Sequence, residues 1–240
     1  AIDCFKRDSA GRVTVVTPYM SYSQSDKKDQ PRVPITARLL ADMIEVAGAD
    51  RWVTIDLHAG QIQGFYKIPG DSLTALHIIC KYIRAKGLNG TVVTTDLGFA
   101  KGGRNYAEAL GFPLAFIEKR RTGPTGTREA LTLIGSVAGR DVLIVDDLVD
   151  TAGSVQQAAE IVRAHGARDV YLAFTHPVLS PPAIDRLRGL DLKEIITTDT
   201  LPIAPQDRLP NMTILTVADL LGEVIIRSHE GRSVGELFNE

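Results

Sequence analysis

Val142-Leu143-Ile144-Val145-Asp146-Asp147-Leu148-Val149-Asp150-Thr151-Ala152-Gly153-Ser154 is the stretch from which the fold can be read. An apolar run ends in two adjacent carboxylates. A third acid, a hydroxyl and two small residues follow, and a helical pattern begins at Ser154. This is a strand running into a helix. The backbone N–H groups of Thr151, Ala152, Gly153 and Ser154 can cradle a phosphate at the helix N-terminus, where donors are free and the dipole favours an anion. Small residues let the ligand approach the backbone closely. Asp146 and Asp147 would repel a phosphate. Ionised carboxylates only accept hydrogen bonds, so they suit sugar hydroxyls or a bound cation. The expected ligand therefore carries both hydroxyls and a phosphate. A surface turn with a helix cap would account for Asp150 or Ser154 taken singly, but not for the whole run.

Outward from this stretch, strand and helix patterns alternate, which predicts a parallel α/β architecture. Strands are expected over 12–17, 52–57, 91–95, 114–117, 141–145, 170–174, 194–198 and 212–216. Helices are expected over 34–47, 72–86, 99–110, 154–165 and 217–228, three of them stopped by Gly48, Gly87 and Gly111. The opening residues Ile2 to Arg7 read as the end of an amphipathic helix. Ile68-Pro69-Gly70 punctuates the chain and is the expected domain boundary. There is no short-period repeat and no low-complexity segment.

The 240 residues suffice for one large or two modest domains. A net charge of −2 gives no global basic field, which argues against nucleic acid as a partner. No apolar run reaches membrane-spanning length, so no membrane is expected. Two cysteines, Cys4 and Cys80, make no disulfide framework and fit a reducing, cytoplasmic setting.

Further candidates lie where strands end, the favoured place for ligand contact in open α/β sheets. Asp56-Leu57-His58-Ala59-Gly60-Gln61-Ile62-Gln63-Gly64-Phe65 follows one strand. In a continuing strand Asp56 and His58 would share a face, and a neutral imidazole can ligate a metal. A satisfied structural histidine is the other reading. Asp96 follows the strand over 91–95; it suits a ligand or the N-cap of the next helix. Glu118-Lys119-Arg120-Arg121 places three cations together, followed by a polar stretch with Gly123, Pro124 and Gly126. Adjacent cations repel one another unless an anion joins them; a solvated basic turn is the alternative.

The stretch from Val142 resembles the loop shared by type I phosphoribosyltransferases and ribose-phosphate diphosphokinases (PRPP synthetases). The segment from Asp56 to Phe65 resembles the diphosphokinases alone. The resemblance runs from about Ile2 to about Phe238. It implies two phosphoribosyltransferase-like domains, parallel sheets flanked by helices, the first domain incomplete with several dozen residues expected upstream of Ala1. Residues 1–69 would be a partial nucleotide-side domain on which 203–240 pack back. Residues 70–202 would bind the ribose phosphate.

The implied reaction moves the diphosphoryl group of Mg-ATP to the anomeric hydroxyl of ribose 5-phosphate, giving PRPP and AMP. The resemblance makes His58 and Asp96 ligands of Mg2+. It makes Lys119 and Arg121 catalytic residues on a lid, stabilising charge on the transferring group. It gives Gln24 and Ser25 the ATP contact, although the family commonly has Arg-Gln there, and glutamine lacks the charge and planar fork of arginine. The family's second glycine after Gly98 is replaced by Phe99, and the lid is about one residue longer. His176 matches a family histidine without an assigned role. Homo-oligomers, dimers assembling to a hexamer, are implied. Two other readings stay open: a non-catalytic PRPP-synthetase-associated regulatory subunit, and a type I phosphoribosyltransferase.

Overall fold

The computed structural model describes residues 1–122 and 128–238. The chain divides into two compact units, Ala1–Thr74 with Arg232–Glu240, and Ala75–Gly231.

The first unit opens with helix α1 (Ile2–Arg7). Strand β1 (Thr14–Val16), helix α2 (Thr36–Val46), strand β2 (Arg51–Ile55) and strand β3 (Gly70–Leu73) follow, and the strands form a parallel sheet in the order β1-β2-β3. The middle strand has Trp52, Val53, Thr54 and Ile55 all buried, as expected where both faces of a parallel sheet are covered. Trp52 stacks on Tyr66 with ring centroids 4.5 Å apart. Its indole lies so close over Gly70 that any Cβ there would overlap it. This contact corrects the expected boundary at 68–70 and the expected helix from Ser72. Gly70 is there for close approach of an aromatic ring, not to punctuate a linker, and residues Gly70–Leu73 pair with β2.

The second unit contains helix α3 (Leu76–Ala85), strand β4 (Gly90–Thr94), helix α4 (Ala100–Leu110), strands β5 (Leu114–Thr122), β6 (Arg128–Ile134) and β7 (Asp141–Val149), and helix α5 (Gly153–Ala164). Strand β8 (Val170–Pro177), helix α6 (Ala183–Gly189), strands β9 (Glu194–Thr198) and β10 (Met212–Leu215) and helix α7 (Ala218–Glu230) complete it. The sheet order is β10-β9-β8-β7-β4-β5-β6. All neighbours are parallel except β5 and β6. Val142 and Ile144 of β7 are fully buried in the same core as Val155, Ala158, Ala159 and Val162 of α5. The chain runs outward from β4 in one direction and from β7 in the other. Their shared carboxyl ends are thus the topological switch point where such sheets bind ligands.

Three expectations are corrected here. β7 does not stop at Val145; its ladder with β8 continues to Val149↔Pro177. β6 had no expected counterpart. Its Leu131 and Leu133 pack against the core, an alternation hidden among helix-favouring Glu129, Ala130 and leucines. Residues 203–231 belong to the second unit, because β10 pairs with β9 (Met212↔Ile195); only the segment from Arg232 groups with the first. Both cysteines are free thiols, Cys4 exposed and Cys80 buried. Among the described residues no helix is long and apolar enough to cross a membrane.

Candidate active site

The second unit gathers Asp96, Asp146, Asp147, Asp150 and the turn into α5 around the carboxyl ends of β4 and β7. Asp146 is held on both oxygens. The buried Thr95 donates its hydroxyl to Asp146 Oδ2 at 2.5 Å, and the Asp147 N–H donates to Oδ1 at 3.0 Å. Burial, and after it the charge of Asp147, push the Asp146 carboxyl well above the usual carboxylate range. Asp146 is half-buried and Asp147 buried, and the Asp147 Oδ1 accepts the Leu148 N–H at 2.9 Å. Two neighbouring acids with no cation among these contacts are poorly solvated, which suits them to accept hydroxyl donors from a sugar. Asp150 has a buried Oδ1 without a hydrogen-bond partner among the described residues, a second acceptor in need of a donor.

The turn that follows is built for an anion. Ala152 is buried and left-handed at φ 61, and α5 begins at Gly153 with no side-chain cap. The helix starts one residue earlier than expected. The turn's shape depends on the Ala152 conformation, which costs a residue with a Cβ about 1–2 kcal/mol. Arg186 of α6 donates from Nη1 to the Thr151 carbonyl at 2.8 Å.

Asp96 is half-buried just past β4. Its Oδ1 accepts the N–H groups of Gly98 at 2.8 Å and Phe99 at 3.3 Å. It therefore closes a tight turn ahead of α4, whose N-cap is Phe99. Oδ2 takes no hydrogen bond among the described residues, so a cation could be met there without disturbing the turn.

Lys119 and Arg121 do not follow the strand, as expected of a lid; they lie in it. The β5–β6 ladder pairs Lys119 with Leu131 and Arg121 with Glu129 and reaches Thr122↔Arg128. The core-facing leucines of β6 give the basic run a partner strand. The side chains of Lys119 and Arg121, and the stretch 123–127, lie outside the described residues.

In the first unit, β2 ends at Ile55 and Asp56 turns away at φ 39. The expected shared strand face of Asp56 and His58 is thereby corrected; a left-handed residue breaks the alternation. His58 is exposed. Gln24 and Ser25 line a cavity of about 290 Å³ with Lys27, Asp29, Val33, Pro34 and Thr36. Next to it the buried Asp26 accepts from Gln61 Nε2 at 2.5 Å, which ties the two candidate segments of this unit together. Among the described residues no group of three or more His, Cys, Asp or Glu side chains could hold a metal. Magnesium asks for less, since one or two protein ligands with phosphate oxygens and water satisfy it. The open Oδ2 of Asp96 fits that requirement.

His176 is buried in β8, its Nδ1 sharing a hydrogen bond with Thr200 Oγ1 at 2.9 Å. Sequence reasoning missed Thr95 and Arg186. Thr95 carried a signal, being adjacent to Asp96 at a strand end. Arg186 carried none, because its partner is a backbone carbonyl 35 residues away in sequence.

Comparison with known proteins accounts for this arrangement. Over 239 residues the chain is 46% identical to the ribose-phosphate pyrophosphokinase of Caldanaerobacter subterraneus subsp. tengcongensis, covering 99% of this chain and 75% of that protein. The chain belongs to the ribose-phosphate pyrophosphokinase family. A second relative, from Clostridium acetobutylicum, is 45% identical over 242 residues, covering all of this chain and 76% of the other. Residues 1–48 match the family model for the N-terminal domain of ribose phosphate pyrophosphokinase, and residues 119–239 match the phosphoribosyl synthetase-associated domain. The crystal structure of phosphoribosylpyrophosphate synthetase from Mycobacterium smegmatis superposes with a TM-score of 0.90 at 40% identity, covering 96% of this chain and 76% of that one. The two-sheet α/β fold is thus the pyrophosphokinase fold.

Proposed function

We propose that this chain is a ribose-phosphate diphosphokinase, transferring the diphosphoryl group of ATP to the anomeric hydroxyl of ribose 5-phosphate. The observation that carries the reading is the likeness, at 46% identity over 99% of this chain and 75% of the relative, to a protein named ribose-phosphate pyrophosphokinase. The Asp146–Ser154 geometry supports it. The 5-phosphate would rest on the N–H groups of Thr151, Ala152, Gly153 and Ser154 at the start of α5. The sugar hydroxyls would meet Asp146, Asp147 and the Asp150 oxygen that is buried without a partner among the described residues.

In the reaction the anomeric oxygen forms a bond to the β-phosphorus. The bond from that phosphorus to the α-bridging oxygen breaks, AMP leaves with the electron pair, and the hydroxyl proton is lost. No covalent enzyme intermediate is needed. The protein's share is positioning and charge stabilisation, a role this reading gives to Lys119 and Arg121. Mg2+ would neutralise phosphate charge as ATP binds, with His58 and Asp96 as its protein ligands. Gln24 and Ser25 would contact the nucleotide. The first unit is thus the nucleotide side and the second the ribose-phosphate side. A cytoplasmic homo-oligomer, dimers assembling to a hexamer, completes the proposal.

A non-catalytic regulatory subunit is the alternative favoured by one observation, Gln24-Ser25 in place of the family's Arg-Gln. AMP release from ATP, measured with and without ribose 5-phosphate and magnesium, decides between them. AMP that requires both additions supports the diphosphokinase. A folded chain that binds ribose 5-phosphate and releases no AMP supports the regulatory subunit. Consumption of PRPP with a free base would instead support a phosphoribosyltransferase.

A further inference from the structure

Helix α6 contributes one side chain to the turn that precedes α5. Arg186 Nη1 donates to the Thr151 carbonyl at 2.8 Å. A Cβ placed on Gly153 would meet the same nitrogen at 3.4 Å, so the guanidinium lies against two residues of the turn. Arg188, on the same helix, is paired with Asp185 at 2.8 Å. Arg186 makes no ion pair within 4.0 Å among the described residues, so it leaves a cation beside the phosphate cradle that no carboxylate engages directly.

The peptide bond between Thr151 and Ala152 is planar and trans, so its C=O and N–H point in opposite directions. Fixing the Thr151 carbonyl against α6 therefore aims the Ala152 N–H away from α6, out of the other side of the turn. No side-chain cap shares this task, and Ala152 at φ 61 is in a conformation that its Cβ disfavours. We propose that Arg186 is a positioning residue for the ribose-phosphate loop. By holding the Thr151 carbonyl it presents the Ala152 N–H to the 5-phosphate, and its positive charge favours the dianion. The inference rests on the reading of this turn as the ribose 5-phosphate site.

The test is calorimetric binding of ribose 5-phosphate and, separately, Mg-ATP to the full chain and to the variants Arg186→Ala, Arg186→Lys and Arg188→Ala. Arg186→Ala should weaken ribose 5-phosphate binding roughly tenfold, as for loss of one charge-assisted contact. Mg-ATP affinity and the melting temperature should hold. Arg186→Lys should recover part of the loss, since it keeps the charge and a single donor. Arg188→Ala should match the wild type. In turnover the loss should fall on KM for ribose 5-phosphate, with kcat within about twofold.

Unchanged binding by Arg186→Ala overturns the proposal, as does an equal loss for both ligands. Should Arg186→Ala fail to fold, Arg186→Lys and Arg186→Gln decide: equal affinities for ribose 5-phosphate overturn the role of the charge. If the wild type itself binds no ribose 5-phosphate, the reading of the turn fails and takes this proposal with it. Wild-type binding with an insensitive variant defeats the Arg186 role alone.

Discussion

The second unit holds two carboxylates near opposite edges of one sheet, the buried Glu194 and the half-buried Asp146, and they are treated differently. Glu194 opens β9 at the amino edge. Lys86 Nζ donates to its Oε2 at 2.5 Å, while the Tyr82 and Thr213 hydroxyls donate to Oε1 at 2.6 and 2.7 Å. Burial alone would raise its pKa, but these contacts together lower it below the usual glutamate value. Asp146 lies toward the carboxyl edge. It has a hydroxyl, a backbone N–H and a neighbouring acid, and its pKa is raised. Glu194 is a satisfied ion pair that ties α3 to β9 and β10. Asp146 is under-compensated and stores a demand for hydrogen-bond donors that a ligand can meet. Strain of this kind belongs to sites that bind, whereas complete satisfaction belongs to sites that hold the fold.

The sharpest way to break this contrast is Asp147→Asn. It should weaken ribose 5-phosphate binding by roughly ten- to a hundredfold, the worth of a hydrogen bond to a charged group, with the melting transition retained. A collapsed transition in calorimetry would make the pair structural instead. Lys86→Met should do the reverse. Leaving Glu194 buried without its cation should cost about 1–2 kcal/mol, or roughly 3–6 °C in Tm, with ribose 5-phosphate affinity unchanged.

Melting curves across pH sharpen the comparison further, because the two shifts have opposite signs. Glu194, with its lowered pKa, stabilises the fold above the ordinary glutamate value and loses that contribution as pH falls through the folded value. Asp146, with its raised pKa, stabilises the protonated form at low pH, and the contribution is lost as pH rises through the folded value. Asp146→Asn should therefore melt slightly higher than wild type at neutral pH, with the gap closing in acid. A gap that widens in acid would contradict the assignment. The smallest effect is expected from Thr95→Val, which removes one donor to Asp146. Ribose 5-phosphate affinity should fall about threefold and Tm should barely move.

Much of the fold was legible because its signals are local. The apolar run Val142 to Val145, the small residues before α5 and the glycines after α2, α3 and α4 act within a few positions, and the strand–helix alternation follows from them. The misreadings share another cause. Gly70 looked like a linker because its reason for being glycine is Trp52, eighteen residues earlier. The basic run at Lys119 looked like a loop because its partner strand β6 is supplied by residues further along the chain, Arg128–Ile134. Asp56 looked like a strand residue because it directly follows an apolar run, and its N–H does still donate to the Leu73 carbonyl of β3, but its φ of 39 takes the chain out of the strand.

For the site, the sequence by itself determined which groups are present: the acids, the small turn and the helix start, since residue types and spacing suffice to specify donors and acceptors. Only the tertiary structure decided their condition. Thr95, just past β4, holds Asp146, Asp150 keeps a buried oxygen without a partner among the described residues, and Arg186 reaches from α6 to a backbone carbonyl. Side-chain chemistry is written residue by residue, but burial and hydrogen-bond partners arise between segments distant in the chain, and they set the charge state and aim of each group.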